Sequence, residues 1–206
     1  MDSILTFNNL LILVVLPIAA FIGVIFKTTW DRFSLFAIKH KEEKLKNQRE
    51  YYENKINKFY LPLYVYLQRD KDLWDLMIRI ICKKANMEYS VELYKDTTLI
   101  LKHFKDRIVE EDNMLKQLDN TILENHIKCL HVIQEYGLLS QSETYFTDLL
   151  SQYCKHTIIY KFLRNDGLID FPSSYGAEYP SSLLTVVKIS LNSLRSDYDK
   201  IVCVKK

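Results

Sequence analysis

Hydrophobic residues along this chain form one continuous block at the N-terminus, followed by stripes with helical spacing. No side chain from Ser3 to Phe26 is charged, and every residue from Leu10 onward in this block is apolar. As a helix the block would be about 36 Å long, at about 1.5 Å per residue. Since a bilayer has a hydrocarbon core about 30 Å thick, the block predicts a transmembrane anchor over residues 1–27. The anchor contains Leu10, Pro17, Gly23 and Phe26.

A cleaved secretory signal is the alternative interpretation of this block. Such a signal needs a positive N-terminal region, a short apolar core and a cleavage site of small residues. Here Asp2 is the only charged side chain before the apolar run, and the pair Ala19-Ala20 lies inside the run. The pattern therefore favours an anchor that is retained.

Basic residues follow the block and set its predicted orientation. Seven lie between Lys27 and Glu50, and the N-terminal flank has none. The positive-inside rule then predicts an external N-terminus and a cytoplasmic C-terminal part. Aromatic and long basic side chains favour the headgroup region, so the predicted membrane interface consists of Lys27, Trp30 and Arg32.

Residues 28–58 predict a charged juxtamembrane helix, or stalk. Glu42 and Lys46 have the favourable i,i+4 order of an exposed helical ion pair. A coiled coil is the sharper alternative, but Leu45 is the only apolar residue from 41 to 48 and no heptad repeat is sustained. Because Pro62 has no backbone N–H, we expect it to start a new helix or to bend the long one.

Four helical stripes predict a compact domain over residues 59–200, followed by a tail over residues 201–206. The first stripe is Leu73, Leu76, Met77, Ile80 and Ile81, with Asp70 or Asp72 as the cap. The others run from Ser90 to Ile108, from Asp112 to Tyr136, and from a Ser140 to Glu143 capping box to Leu163. A last helix, with Val186, Ile189 and Leu194 inward, ends near Asp199. The predicted fold is all-α, with a bundle of about four to five helices.

Turn residues punctuate this domain at two places. Gly137 predicts a left-handed stop after the third stripe. Residues 165–182 are rich in Gly, Pro and Ser and predict a long loop, although the loop also carries three aromatic side chains.

Two aromatic groups are candidates for a partner surface, because Tyr and Phe supply much of the buried area in interfaces. The alternative is that they pack in the core, which is the commoner fate of aromatics at helical spacing. The two groups are Tyr60, Tyr64 and Tyr66 at the start of the domain, and Phe171, Tyr175 and Tyr179 in the loop.

Charge and cysteine content narrow the classes of function. The formal net charge is +2, from 28 basic and 26 acidic side chains, so no nucleic-acid partner is expected. The four cysteines are widely spaced in a chain of 206 residues. This spacing predicts reduced thiols rather than a disulfide framework.

No catalytic, cofactor or metal site is predicted. The chain lacks a Gly-rich phosphate loop, a GxSxG elbow and an HExxH helix. The densest group of potential metal ligands is His126, Cys129 and His131, but His131 would point away from the other two on a helix. The acidic run from Glu110 to Asp112 is typical of a solvated surface.

These observations predict a non-enzymatic, single-pass membrane protein that acts as a scaffold or adaptor. Its expected partners are the lipid bilayer and either a protein or a second copy of the chain. Three alternatives stay open. They are a membrane-perturbing effector whose helical domain senses a trigger, a viral structural protein that links a membrane to a shell, and an enzyme whose site is assembled from scattered polar residues. The layout resembles that of many small membrane proteins of bacteria and large DNA viruses, and layout alone does not carry function.

Overall fold

The computed structural model describes residues 16–89, 102, 113–140 and 144–203. All regular structure in these ranges is helical, which confirms the all-α prediction. The α-helices whose bounds are described are α1 (Leu16–Asn54), α2 (Leu61–Lys84), α3 (Asn113–Tyr136), α4 (Thr144–Asn165) and α5 (Leu183–Cys203). Helices α2 to α5 form a compact bundle.

The predicted anchor is described only from Leu16 onward, because residues 1–15, including Leu10, lie outside the described ranges. Among the described helices, none combines the length and the apolar character required to cross a bilayer.

The chain divides into two compact units, Met1–Glu50 and Tyr51–Lys206. The described part of the first unit is helix α1 from Leu16 to Glu50, whose large apolar side chains are mostly exposed. Its hydroxyl side chains bond back to carbonyls of the preceding turn: Thr29 Oγ1 donates to Ile25 O at 2.7 Å, and Ser34 Oγ to Trp30 O at 2.7 Å. These bonds satisfy the hydroxyl groups within the helix itself.

A π-helical turn, Lys55–Tyr60, joins α1 to α2. At its end the Leu61 N–H donates to Ile56 O, five residues earlier, and Leu61 keeps helical dihedral angles. The wider turn precedes Pro62, whose ring would clash with a carbonyl four residues back in an ordinary α-helix. Pro62 therefore stands in the first turn of α2, as one of the two predicted outcomes requires.

Two apolar clusters form the core of the second unit. The first cluster is centred on Phe59, Tyr60, Leu63 and Leu67 and includes the inner face of α5. The second cluster contains Met77, Ile78 and Ile81 of α2 together with Leu115 and Ile122 of α3 and Tyr160 of α4. Residue order within the clusters makes α3 antiparallel to both α2 and α4.

The loop after α4 folds against the bundle. Its Phe171 is buried and meets Trp74 edge-on, with ring centroids 5.6 Å apart. A 3₁₀ turn, Pro172–Tyr175, ends at Gly176, whose φ of 67° is in the left-handed region that favours glycine.

Five local predictions are wrong. Leu76, predicted in the packed stripe of α2, is 47% exposed. Asp70 does not cap a helix, because α2 already begins at Leu61 and buries this side chain. Gly137 is not left-handed: the described glycines with positive φ are Gly167 and Gly176, and Gly137 opens a 3₁₀ turn. Ile189 is 64% exposed rather than inward, and α5 continues past Asp199 to Cys203.

Several predicted features lie outside the described residues. They are the helix from Ser90 to Ile108, apart from residue 102, the acidic run from Glu110 to Asp112, and Glu143 of the capping box.

Candidate functional site

A group of buried polar side chains lies between the two apolar clusters. We call it the polar layer: Asp70 on α2, Asn125 and His126 on α3, and Tyr153 and His156 on α4. Residues of the two clusters lie on either side of the polar layer, namely Leu67 and Met77 on α2 and Cys129 and Ile122 on α3. On α4, Tyr153 belongs to the first cluster as well as to the layer, and Tyr160 belongs to the second cluster. Three helices therefore place buried polar side chains at the same level of the core.

Asp70 is the centre of the polar layer and is 2% exposed. Its Oδ1 accepts a hydrogen bond from Asn125 Nδ2 at 2.6 Å, and its Oδ2 accepts one from the Tyr153 hydroxyl at 2.7 Å. The Asn125 amide also donates to Tyr66 O at 2.8 Å. One carboxyl group thus connects α2, α3 and α4.

His126 completes the layer and is 3% exposed. Its Nε2 lies 3.3 Å from Asp70 Oδ2. Four rings surround the imidazole, with centroids between 5.4 and 6.0 Å away: Tyr153, His156, Tyr160 and Tyr179. Three buried atoms of this region have no hydrogen-bond partner among the described residues, namely Asn125 Oδ1, His126 Nδ1 and Thr157 Oγ1.

Burial favours the uncharged forms of these groups. It raises the pKa of Asp70 to about 7, although the hydrogen bonds from Asn125 and Tyr153 oppose the shift. Burial, with a smaller effect of His156, holds the pKa of His126 well below its ordinary value. Burial also lowers the pKa of His156, whose Nδ1 lies 2.9 Å from Ala177 O in the loop.

A second network joins α3 and α4 at the edge of the bundle. Arg164 Nε donates to Asp119 Oδ2 at 2.5 Å, and the Tyr160 hydroxyl donates to Asp119 Oδ1. The Arg164 Nη1 group donates to Leu168 O at 2.8 Å and to Asp170 O at 2.7 Å. This arginine therefore fixes the start of the loop to the bundle.

A shallow cleft of about 210 Å³ lies beside this network, lined in part by Lys116, Asn120 and Ile169. Pockets that bind small molecules usually measure about 300–1,000 Å³. The cleft is therefore small for a substrate or cofactor site.

The side chains of the polar layer are not arranged as a metal centre. Among the described residues, no group of three potential ligands is placed to hold a metal ion. Of the three residues weighed as ligands in the sequence, His126 and Cys129 are buried, whereas His131 is exposed and lies 3.0 Å from Glu135. Burial raises the pKa of Cys129 and of Cys154, which disfavours the nucleophilic thiolate at both positions.

The predicted partner-surface residues have different environments. Tyr60 is fully buried and stacks on Phe146, with centroids 5.9 Å apart, while Tyr64 and Tyr66 are half-buried. In the loop, Phe171 is buried, Tyr179 is half-buried against the polar layer, and Tyr175 is 51% exposed. At the predicted membrane interface, Lys27, Trp30 and Arg32 are exposed on α1.

The polar layer was not predicted as a unit, although the sequence contains polar residues at apolar-stripe positions of several helices. Asp70 occupies a core position of the apolar stripe of α2, three residues after Leu67 and seven before Met77. His126 and His156 interrupt the stripes of α3 and α4 in the same way. Polar residues at stripe positions of several helices indicate a buried network, because isolated buried polar groups are costly.

No protein-family model matches this sequence, and no curated protein or solved structure gives a significant match. Any proposal about function therefore depends on the chain's own residues and geometry.

Proposed function

We propose that this chain is a non-enzymatic, single-pass membrane protein whose helical bundle binds a protein partner or a second copy at the membrane. The N-terminus would lie outside and the bundle in the cytoplasm. The observation that carries the proposal is the exposure of apolar side chains around the N-terminal part of α1.

Every residue from Leu16 to Phe26 is apolar, so no side of this part of the helix carries a polar side chain. The large side chains project over about 200° of the circumference, and small residues occupy the remaining positions. Consecutive residues are about 100° apart, and Val24, Ile25 and Phe26 are 61%, 49% and 70% exposed. Ile18, Phe21 and Ile22 of the preceding turns are also more than half exposed. A protein partner would cover one face, whereas lipid surrounds a helix on every side, so the pattern favours lipid.

Exposure of these apolar side chains to water would be costly. Burying one large apolar side chain is worth about 1.5–3 kcal/mol, so six of them left in water are strongly unfavourable. The uncharged sequence continues upstream to Ser3, and the basic residues begin at Lys27. This order matches a membrane span with a cytoplasmic basic flank.

The binding role of the bundle is supported by the character of its polar groups and by its exposed aromatic side chains. The polar layer is buried and tied into the fold, so it holds three helices together rather than facing a substrate. Phe162 on α4 is 63% exposed and Tyr175 in the loop is 51% exposed. We propose these two rings as contact residues for the partner.

Membrane attachment is tested by expressing the full chain and measuring flotation with membranes at alkaline pH. Val14→Lys should release the protein from membranes, because a charge near the middle of a span is costly. The matched control is Ile189→Lys, at a position of α5 that is 64% exposed, and it should not change flotation. Equal behaviour of the two variants would contradict the anchor.

Orientation is tested by labelling thiols in intact cells with a reagent that does not cross membranes. A cysteine introduced at Asn8 should react, whereas the exposed native Cys203 should react only after the cells are opened. Reaction of Cys203 in intact cells would reverse the proposed topology.

The binding role is tested by crosslinking in cells and identifying what co-purifies with the detergent-solubilised full chain. Phe162→Ser should reduce the crosslinked species without lowering the melting temperature. Host killing that Gly23→Lys abolishes would instead favour the membrane-perturbing effector.

A further inference from the structure

Exposed aromatic side chains continue along α1 beyond the proposed span. Phe26, Trp30, Phe33 and Phe36 are between 63% and 70% exposed, and we call these four residues the aromatic seam. At about 100° per residue, their side chains fall within about 120° of the helix circumference. On this face Phe26 stacks with Trp30 and Phe36 with His40, with ring centroids 6.5 and 6.4 Å apart.

The charged side chains of the same stretch lie on the other side of the helix. From residue 27 to residue 40, every Asp, Lys and Arg falls within a sector of about 140° that does not overlap the aromatic seam. These residues are Lys27, Asp31, Arg32 and Lys39. The apolar Leu35 and Ile38 also lie in the charged sector. This part of α1 therefore has one continuous apolar face and one mixed, charged face.

Lipid would cover only the start of the aromatic seam. Helix α1 continues without interruption past Lys27, and Phe36 lies about 15 Å beyond Phe26 along the helix axis. A headgroup layer is about 5–8 Å thick on each side of the hydrocarbon core. A tilt of about 20°, which is usual for membrane helices, shortens this distance only slightly. With a span that ends at Phe26, the far half of the seam stands above the lipid and needs a protein to cover it.

The spacing of residues on the seam face matches that of a contact between two helices. Consecutive positions are alternately four and three residues apart, as the a and d positions of a heptad are. They are Phe26, Trp30, Phe33, Ala37 and His40. Lys44 takes the next position and ends the pattern after two heptads. Since a coiled coil in water usually needs about three or four heptads, a further constraint must hold such helices together.

We propose that the aromatic seam pairs with the same surface of a second copy of this chain, parallel and in register, just above the membrane. The inference rests on the proposed anchor, because two copies inserted with the same orientation place identical residues at the same height. Anchoring also confines both chains to one plane and raises their effective concentration, which compensates for the short contact. A soluble partner would have neither advantage.

The area of the aromatic seam suits a pair of anchored chains. Large aromatic side chains bury about 150–250 Å² each. Four rings that are about two-thirds exposed therefore bury about 400–670 Å² on each copy. A standard stable interface buries about 800 Å² on each partner, so the seam alone is small for a dimer in solution. We therefore expect the pair to form on the membrane.

Disulfide crosslinking in membranes tests the pairing. The full chain, with the exposed Cys203 replaced by Ser, carries either Ala37→Cys on the seam face or Leu35→Cys about 160° away from it. Both native side chains are exposed, so an oxidant reaches both thiols. Ala37→Cys should give a covalent dimer and Leu35→Cys should not, because a disulfide requires Cα atoms within about 7 Å.

Three outcomes of this experiment would overturn the proposal. Equal crosslinking at the two positions would mean that the chains meet without a preferred face. Absence of a dimer with Ala37→Cys would mean that the seam faces do not meet. A crosslink from Ala37→Cys to a different protein would assign the seam to another partner.

A second set of variants removes the rings themselves. Trp30→Ala with Phe33→Ala, in the Ala37→Cys chain, should lower the crosslinked fraction about tenfold, because the burial of one such ring is enough for that change in association. The matched control is Leu35→Ala with Ile38→Ala, which removes two side chains that are 58% and 55% exposed. The control should change the crosslinked fraction less than about twofold. Equal losses in the two sets would overturn the proposal.

Flotation of the same samples separates this inference from the proposed function. If the protein floats with membranes and Ala37→Cys does not crosslink, the seam does not pair and the anchor stands. If the protein does not float, the anchor fails and the parallel pair fails with it.

Discussion

The Tyr153 hydroxyl shows how much a single atom contributes inside the polar layer. It is fully buried and donates to Asp70 Oδ2 at 2.7 Å. Because this bond favours the ionised carboxylate, Tyr153→Phe should destabilise the fold more at about pH 8, where Asp70 is ionised, than at pH 5. We expect a loss of about 1–3 kcal/mol at the higher pH, measured by chemical unfolding.

The control for this prediction is Tyr145→Phe. The Tyr145 side chain is 58% exposed, and its hydroxyl lies 3.1 Å from Ser182 Oγ. Its removal should change stability by less than about 0.5 kcal/mol at both pH values. A Tyr153→Phe loss that does not grow with pH would mean that Asp70 stays protonated throughout.

The Arg164 guanidinium holds the start of the loop through several hydrogen bonds at once. Its flat, branched donor set contacts both Asp119 oxygens and two loop carbonyls, which an ammonium group does not reproduce. Arg164→Lys should cost about 1.5–3 kcal/mol in thermal or chemical unfolding. Arg79→Lys is the matched control, since the Arg79 and Asp75 pair on α2 is largely exposed and should contribute less than about 1 kcal/mol. Similar losses in the two variants would contradict the structural role of Arg164.

At the scale of elements, the loop after α4 depends on the backbone of one glycine. Gly176 has φ of 67°, and a Cβ placed on it would meet no atom within 4 Å, so the strain of Gly176→Ala is purely conformational. We expect a cost of about 1 kcal/mol and a lower melting temperature. Gly137→Ala has equal space and no positive φ, so it should be neutral or slightly stabilising.

Two tyrosines of the same loop are expected to have different roles, with Tyr179 packing against the bundle and Tyr175 contacting a partner. Tyr179 lies against the polar layer, with its ring centroid 5.4 Å from His156 and 5.7 Å from Tyr153. Tyr179→Ser should therefore lower the melting temperature, although by less than the about 3–5 kcal/mol typical of a fully buried aromatic side chain, because Tyr179 is half-buried. Tyr175→Ser should leave the melting temperature nearly unchanged and reduce partner crosslinking. A reversed pattern would exchange the two roles.

At the scale of the whole molecule, the second unit has the properties of an independent domain. Both apolar clusters lie entirely after Tyr51. A fragment that begins at Asn47 should therefore be soluble without detergent and unfold cooperatively, with a helical circular dichroism spectrum. A fragment that aggregates or unfolds gradually would show that the bundle needs the preceding segment.

The sequence predicted the helical class, the stripes of α3 and α4, and the compact bundle, because apolar residues at spacings of three and four directly specify a buried helical face. It left open whether Pro62 starts a new helix or bends the long one, because a π-turn relieves the proline clash only through a change in backbone spacing. It also assigned Asp70 to a helix end. Propensity favours aspartate at caps, and only tertiary contacts with Asn125 and Tyr153 make its burial tolerable.

The polar layer has a consequence for how this sequence can change over evolutionary time. If α3 slipped by one turn against α2, a shift of about 5.4 Å, Asp70 would lose its partners and face an apolar level of the core. Many apolar residues on either side would still meet apolar residues in the slipped arrangement, so the apolar clusters alone specify the register less strictly than the polar layer does. Selection should therefore conserve Asp70, Asn125, His126 and Tyr153 together, while Leu, Ile and Met positions of both clusters exchange freely among distant descendants of this chain.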